Sequence, residues 1–223
     1  MKLALRLAVP VETLVLIGGG EFSFGDTREI DQFLLSKMPP DRRTIAFIPT
    51  ASGSAEYAQH LGTYFRGLDP GVEVVNLPIY RGRDNRRQKS LNAIMNAGMI
   101  YLGGGVTNSL LETIRESPTD LALRDAAAHG AVIAAIGAAA SCFGSQARDM
   151  RAGGALPGLG WLTRTAVDTG FDPQNDADLR RLMSVPDVDL GLGIPPKTAL
   201  VIDASGAGEI LGEGQIAAFR KAV

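Results

Sequence analysis

The sequence predicts an α/β fold: one domain over residues 1–223, built on a doubly wound, mostly parallel sheet and finished by a C-terminal β-hairpin. Three observations carry this. Short, wholly apolar runs alternate with longer amphipathic stretches, as expected of strands buried on both faces and joined by crossover helices. Most apolar runs end in Gly, Pro or Thr, so each strand is followed by a turn. A chain of 223 residues that is 45% apolar buries one sizeable core, and it contains neither a repeat nor a long linker.

The first strand is Leu14–Ile17, running into Gly18-Gly19-Gly20. Helical periodicity over Thr27–Lys37 is followed by a strand at Thr44–Ile48 and a corner at Pro49–Ser52. A helix over Ala55–Leu68, a strand at Val72–Leu77 and a helix over Arg86–Ala97 come next. The strand Met99–Leu102 ends at Gly103–Gly105. Helices over Ser109–Glu116 and Leu121–Ala128 then lead to the apolar run Ala131–Ile136 and its corner, Gly137–Ser141. Gly153–Gly160 is expected to be a loop inside the domain, and Asp168–Phe171 marks a further corner. Thr198–Phe219 has short strand-like runs broken by Ser205-Gly206 and Gly212-Glu213-Gly214, the pattern of a hairpin closing the sheet edge. The apolar N-terminal stretch is interrupted by Arg6, Pro10 and Glu12 and flows straight into the first strand, so a cytoplasmic protein is expected. No apolar run reaches the roughly 18 residues that a membrane span needs.

Composition excludes several function classes. With 22 basic and 24 acidic residues, neither a nucleic-acid partner nor a membrane surface is indicated. Arg81, Arg83, Arg86 and Arg87 cluster near Asp84 but lack aromatic partners, and read as a solvated turn and helix start, with an acidic ligand as the alternative. One Cys rules out a disulfide framework and a multi-Cys zinc site. Asp168, Asp172, Asp176 and Asp178 lack calcium-loop spacing and read as a solvated loop and helix start, so no metal is expected. Gly18–Gly20 and Gly103–Gly105 fit neither a dinucleotide fingerprint nor a P-loop, so no cofactor is expected. Trp161 is expected in the core or a pocket wall.

Ligands of doubly wound sheets bind beyond the carboxyl ends of the strands. The corners there nominate Gly19, Gly20, Thr50, Ser52, Gly104, Gly105, Val106, Gly137, Ala138 and Phe171 as cleft residues. The most informative corner follows Ala131–Ile136. A buried strand turning sharply into small residues, Gly137 to Gly144, is the setting of a nucleophile elbow. An elbow needs Ser or Cys at its apex, and here the strand ends at Gly137.

At these residues the sequence resembles the cyanophycinase and peptidase E family of serine hydrolases. The resemblance rests on Ile17–Phe22 (IGGGEF), Phe47–Ser52 (FIPTAS), Tyr101–Ile114 (YLGGGVTNSLLETI), His129–Gly144 (HGAVIAAIGAAASCFG), Leu156–Phe171 (LPGLGWLTRTAVDTGF), Gly191–Asp203 (GLGIPPKTALVID) and Glu209–Gln215 (EILGEGQ), in family order. It implies a flavodoxin-like or class I glutamine amidotransferase-like fold. In that family the elbow carries a nucleophilic Ser within G-[TA]-S-A-G-A, and the base is the His of D-x-H-F. Laid ungapped on this chain, the nucleophile position is Gly137, or Ala139 after a shift of one to two residues, neither with a nucleophilic side chain; the base position is Gly170, within Asp168-Thr169-Gly170-Phe171. The family's G-G-[DN] reads Gly104-Gly105-Val106 here, and its acid-rich turn reads Pro195-Pro196.

The histidine count offers a check independent of alignment. There are two: His60 in the helix after the second strand, and His129 at the far end of the elbow strand. A Ser nucleophile is weak until a positioned base takes its proton. The expectation is therefore a catalytically degenerate homologue with no catalytic residue, binding a small acidic or peptide-like ligand or a protein partner, with a homodimer implied by resemblance alone. Two alternatives carry their own requirements. A relocated nucleophile, Cys142 or Ser141, needs exposure at the cleft beside a base; Cys142 is expected more than one turn into the helix, as a buried apolar residue. A metal-dependent or transferase activity needs an ion near Asp168–Asp178.

Overall fold

The apolar runs of the sequence become the central strands, and each strand divides its side chains between two cores. The computed structural model describes residues 3–52 and 55–221; Met1 and Lys2 of the N-terminal stretch lie outside the described residues. In chain order the first half contains β1 (Leu3–Ala4), β2 (Thr13–Ile17), α1 (Arg28–Lys37), β3 (Thr44–Ile48), α2 (Ala55–Leu68), β4 (Glu73–Asn76), α3 (Gln88–Asn96), β5 (Met99–Leu102), α4 (Thr107–Ile114) and α5 (Pro118–Ala128). The second half contains β6 (Val132–Ile136), α6 (Ala138–Ser141), β7 (Gln146–Arg148), β8 (Ala155–Pro157), β9 (Thr165–Thr169), α7 (Ala177–Met183), β10 (Leu190–Ile194), β11 (Thr198–Asp203), β12 (Ala207–Gly212) and β13 (Ala217–Arg220).

The main sheet has eight strands in the order β1-β12-β11-β2-β6-β5-β3-β4. The run from β2 to β4 is parallel, whereas β11, β12 and β1 are antiparallel additions. The period of two along a strand sends Val15, Ile17, Ile45, Phe47, Met99 and Tyr101 to one face, where Ile30 and Leu34 of α1 and Leu61 and Phe65 of α2 cover them. The alternate residues Leu14, Leu16, Ala46, Ile48, Ile100 and Leu102 face Ile94 of α3, Leu110 and Ile114 of α4 and Leu123 of α5. This two-sided burial explains why the strands read as continuous apolar runs.

A second sheet, absent from the sequence reading, has five strands in the order β13-β10-β9-β7-β8. Its Val167, Leu190, Leu192 and Ile194 join the same core as the main sheet, so the two sheets share one hydrophobic interior. The stretch Gly153–Gly160, expected to be loop, contains β8. Three-residue strands such as β7 and β8 have almost no local signature; pairing across the sheet makes them, not propensity. The expected hairpin forms as β11 and β12. It does not close the edge, because β1 pairs outside β12 and β13 crosses to the second sheet.

Helix starts show which local signals matter. α5 begins at Pro118, three residues before the expected Leu121. Pro occupies the first turn and the Ser117 side chain caps Asp120 N–H at 3.3 Å. The arginine-rich segment is a 3-10 turn, Gly82–Arg86, folded around buried Asp84, which accepts from Tyr80 N–H and Arg81 N–H and pairs with Arg87 at 2.8 Å. Trp161 is wholly buried, edge-on to Phe143 with centroids 5.0 Å apart, and is core rather than pocket wall. Among the described residues no helix is long and apolar enough to cross a membrane.

Candidate functional site

Neighbouring strands β2, β6 and β5 end side by side, so their three glycine corners meet. At the end of β6 the backbone reverses at Gly137, with φ 57° and ψ −130°, and α6 starts at the next residue. That conformation is strained for any residue with a side chain, and it is the geometry of a strand–turn–helix elbow. A Cβ on Gly137 would meet nothing closer than the Gly104 Cα at 3.9 Å. The apex therefore faces open space.

The turn after β9 faces the same cleft. Gly170 has φ 65° and an unobstructed Cβ direction. Its N–H donates to Gly18 O at 2.7 Å, while Gly137 N–H donates to Ile17 O at 2.9 Å. The end of β2 thus holds both turns. Gly105 closes the third side: Val106 N–H donates to Ala51 O at 3.0 Å, and a Cβ on Gly105 would lie 2.2 Å from that carbonyl.

Two cavities flank Gly137. One, about 260 Å³ and the more polar of the two, is lined by residues that include Thr107, Ala138, Ser141, Arg148, Asp168, Thr169 and Gly170. The other, about 250 Å³, is lined by Gly19, Gly20, Ser52, Tyr57, Gly103, Gly104 and Ile136. A larger groove of about 700 Å³ near Arg43 and Asp69 lies by the ends of α1 and α2 and the start of β3, away from these corners. The elbow cleft is therefore the better candidate on both geometry and topology.

Three expected cleft residues line neither cavity. Thr50 is buried, with its hydroxyl committed to Ile79 O at 2.6 Å. Phe171 is buried in the second sheet against Leu179 and Leu182. Val106 caps α4, half-buried, outside the lining of either cavity. Sequence reading missed Tyr57, Arg148 and Met150. The last two belong to the β7 hairpin, which left no pattern, and Tyr57 reads as an ordinary apolar position of α2.

The electrostatics of the polar cavity centre on Asp168. It lies half-buried within β9 rather than in the solvated loop expected for it, and burial, then the Asp178 carboxylate, push its pKa up to about 6. Arg148 opposes this but pairs with Asp178 at 2.5 Å. Asp176 and Asp178 open α7 as expected. Among the described residues no group of His, Cys, Asp or Glu is arranged to hold a metal ion.

The relocated-nucleophile candidates are placed differently from each other. Cys142 follows α6 directly and is fully buried; its thiol lies 3.2 Å from Ala138 O, and burial pushes its pKa well up. It has neither the exposure nor the base that thiolate chemistry needs. Ser141 lines the polar cavity, with Oγ 2.9 Å from Thr169 Oγ1. His60 is exposed on α2, and His129 is exposed at the end of α5 beside Asp125, at the other end of β6 from Gly137.

Comparisons with known proteins agree with this architecture. The model of peptidase family S51 matches residues 14–207. The chain is 32% identical over 135 residues to an uncharacterized peptidase, YgaJ, of Bacillus subtilis (strain 168), a match spanning 60% of this chain and 56% of that protein. It is 27% identical over 231 residues to a cyanophycinase of Trichormus variabilis, covering 96% of this chain and 76% of that one. The crystal structure of a peptidase from an acI-B1 actinobacterium superposes with a TM-score of 0.78 over 92% of this chain and 89% of the other, at 22% identity, a likeness of fold.

Proposed function

The chain belongs to peptidase family S51, and from that premise we propose that it is a catalytically degenerate member, one that keeps the cleft and binds a small peptide-like ligand there without hydrolysing it. The observation that carries the reading is the elbow. Gly137 holds the strained backbone of a nucleophile position, open space lies in front of it, and the turn across the cleft is also a glycine, Gly170. The atoms that would attack and take a proton are missing, while the backbone that would present them is in place. Absent a nucleophile and base, only binding and backbone donors contribute; in the serine-protease example these leave about 10³–10⁴-fold acceleration over water.

The two cavities beside Gly137 support an extended ligand that crosses the elbow, as a peptide-like molecule does. The charges do not favour an acidic one: Arg148 is paired with Asp178, and Asp168 stands in the same cavity. A protein partner, a cytoplasmic location and self-association belong to this reading on sequence grounds only.

The test is to incubate purified protein with Asp-containing dipeptides, isoaspartyl peptides and cyanophycin. We expect no turnover and no labelling by a fluorophosphonate. Amide NMR shifts of Gly105, Gly137 and Gly170 should move on titration with a bound dipeptide. Robust turnover that survives Cys142→Ala and Ser141→Ala would overturn the proposal.

A further inference from the structure

A second site lies at the opposite ends of β9 and β10, away from the elbow. A small concavity of about 80 Å³ is lined there by Arg6, Arg164 and Arg220, together with Thr163, Thr165 and Asp189. The three arginines come from the N-terminal segment, the start of β9 and the end of β13. The fold brings them together through Thr163 N–H donating to Arg6 O at 2.9 Å and the pairing of Leu190 with Arg220.

The charge at this place is unbalanced. Asp189 grips Arg164 through both carboxylate oxygens, so that carboxylate is already spent. Arg6 and Lys221 stand close enough to Asp189 to hold its carboxyl below the usual range, behind the larger effect of Arg164 itself. Asp187 also acts on Arg164. Neither Arg6 nor Arg220 has an ion-pair partner among the described residues. Three arginines and one carboxylate thus line the concavity, in a chain whose net charge is −2. Guanidinium groups that line one concavity repel one another, and an anion between them relieves that repulsion.

The backbone adds an independent sign. Arg164 has φ 53°, one of three non-glycine residues with positive φ among those described. This left-handed conformation is costly for a residue with a side chain and persists where the surroundings hold it. Arg164, its guanidinium held by Asp189, lines the concavity.

We propose that this arginine cluster is a binding site for a tetrahedral oxyanion, with a phosphate group as its ligand. Arginine's planar fork matches two phosphate oxygens at once, and Arg6 and Arg220, from two chain segments, bring forks to the concavity beside an Arg164 whose fork is already held by Asp189. The site is separate from the elbow cleft and does not depend on what that cleft binds. An occupant ties the N-terminal segment to the end of the second sheet and so stabilises the folded chain by mass action.

The experiment is a thermal-melting and calorimetric titration of the full chain with sodium phosphate, against sodium chloride at matched ionic strength. Phosphate should raise the melting temperature saturably where chloride does not. Arg6→Gln and Arg220→Gln should each weaken phosphate at least fivefold, and the double variant should abolish the difference from chloride. Both arginines are exposed, so melting in chloride reports whether each variant is folded. Glycerol 3-phosphate separates the sources: tighter binding than inorganic phosphate assigns the site to a phosphorylated small molecule, weaker binding assigns it to free phosphate. Equal responses to phosphate and chloride, or a phosphate response unchanged in the double variant, would overturn the proposal.

Discussion

Gly137 and Gly170 donate their backbone N–H groups to consecutive carbonyls, Ile17 and Gly18, at 2.9 and 2.7 Å. The elbow apex and the turn after β9 are therefore fixed to the end of one strand, β2, by main-chain atoms alone. Whatever side chains stand at these two positions, the backbone sets their separation and direction. That is how the elbow geometry persists with glycine at both places.

Substituting these glycines should cost stability through conformation, not through clash. Gly137→Ala places a methyl group in open space but forces an L residue to φ 57° and ψ −130°, at a cost of about 1–3 kcal/mol. Gly170→Ala, in the left-handed region at φ 65°, should cost about 1–2 kcal/mol. Urea denaturation with an unchanged m-value measures both. A Gly137→Ala variant as stable as the parent would show that the elbow backbone is not strained.

The main sheet was legible in the sequence because burial on both faces leaves uninterrupted apolar runs. Thr44–Ile48, Ala55–Leu68 and Met99–Leu102 fall on the residues read for them. The second sheet was not legible. Its β7 and β8 owe their pairing to distant partners, and β8 sits among glycines that locally favour loop. The same limit applied to the site. Gly137 and Gly170 stand out because a motif surrounds each, whereas Arg148 enters the cleft from an unforeseen strand. Thr50, Val106 and Phe171 line neither cavity, since a corner's position in sequence does not say which way its side chains turn.

Cys142 should be unreactive in the folded chain. With no solvent exposure and a thiol pushed far up by burial, it should resist iodoacetamide and label only on unfolding. Cys142→Ala should keep the fold at a cost of about 1 kcal/mol. Stoichiometric alkylation under native conditions within minutes would instead place the thiol at the surface.

Asp31 gives the fold a pH dependence. Its carboxylate, on α1, is buried with Oδ2 accepting from Thr27 Oγ1 at 2.7 Å and Tyr64 Oη at 2.9 Å, while Oδ1 has no partner among the described residues. Burial pushes its pKa up to about 6, with the two hydroxyl donors opposing. A raised pKa means the folded state holds this proton more tightly than the unfolded chain does. The associated stability is full below about pH 4 and lost as pH rises through about 6, a change of about 3 kcal/mol. Asp31→Asn should remove that slope and make the protein more stable at pH 7, as read by urea denaturation at pH 4.5 and 7. An unaltered slope in the variant would assign the pH dependence to other groups.

Restoring both absent side chains should matter more than restoring either one. Gly137→Ser puts a hydroxyl at the elbow apex, where the Cβ has room, and Gly170→His puts an imidazole on a turn whose Cβ direction is unobstructed. A Ser without a base remains a poor nucleophile, and a His without a nucleophile has nothing to activate, so the effects should be strongly non-additive. The readout is fluorophosphonate labelling rather than turnover, because labelling needs only an activated hydroxyl and not a matched substrate. The double variant should label, and neither single variant should. Labelling of the Gly137→Ser variant alone would reveal a base already in the cleft, with Asp168, which lines the same cavity as Gly137, as the candidate. Absence of labelling in a folded double variant would mean that the two turns, although tied to the same strand end, do not bring residues 137 and 170 within proton-transfer reach.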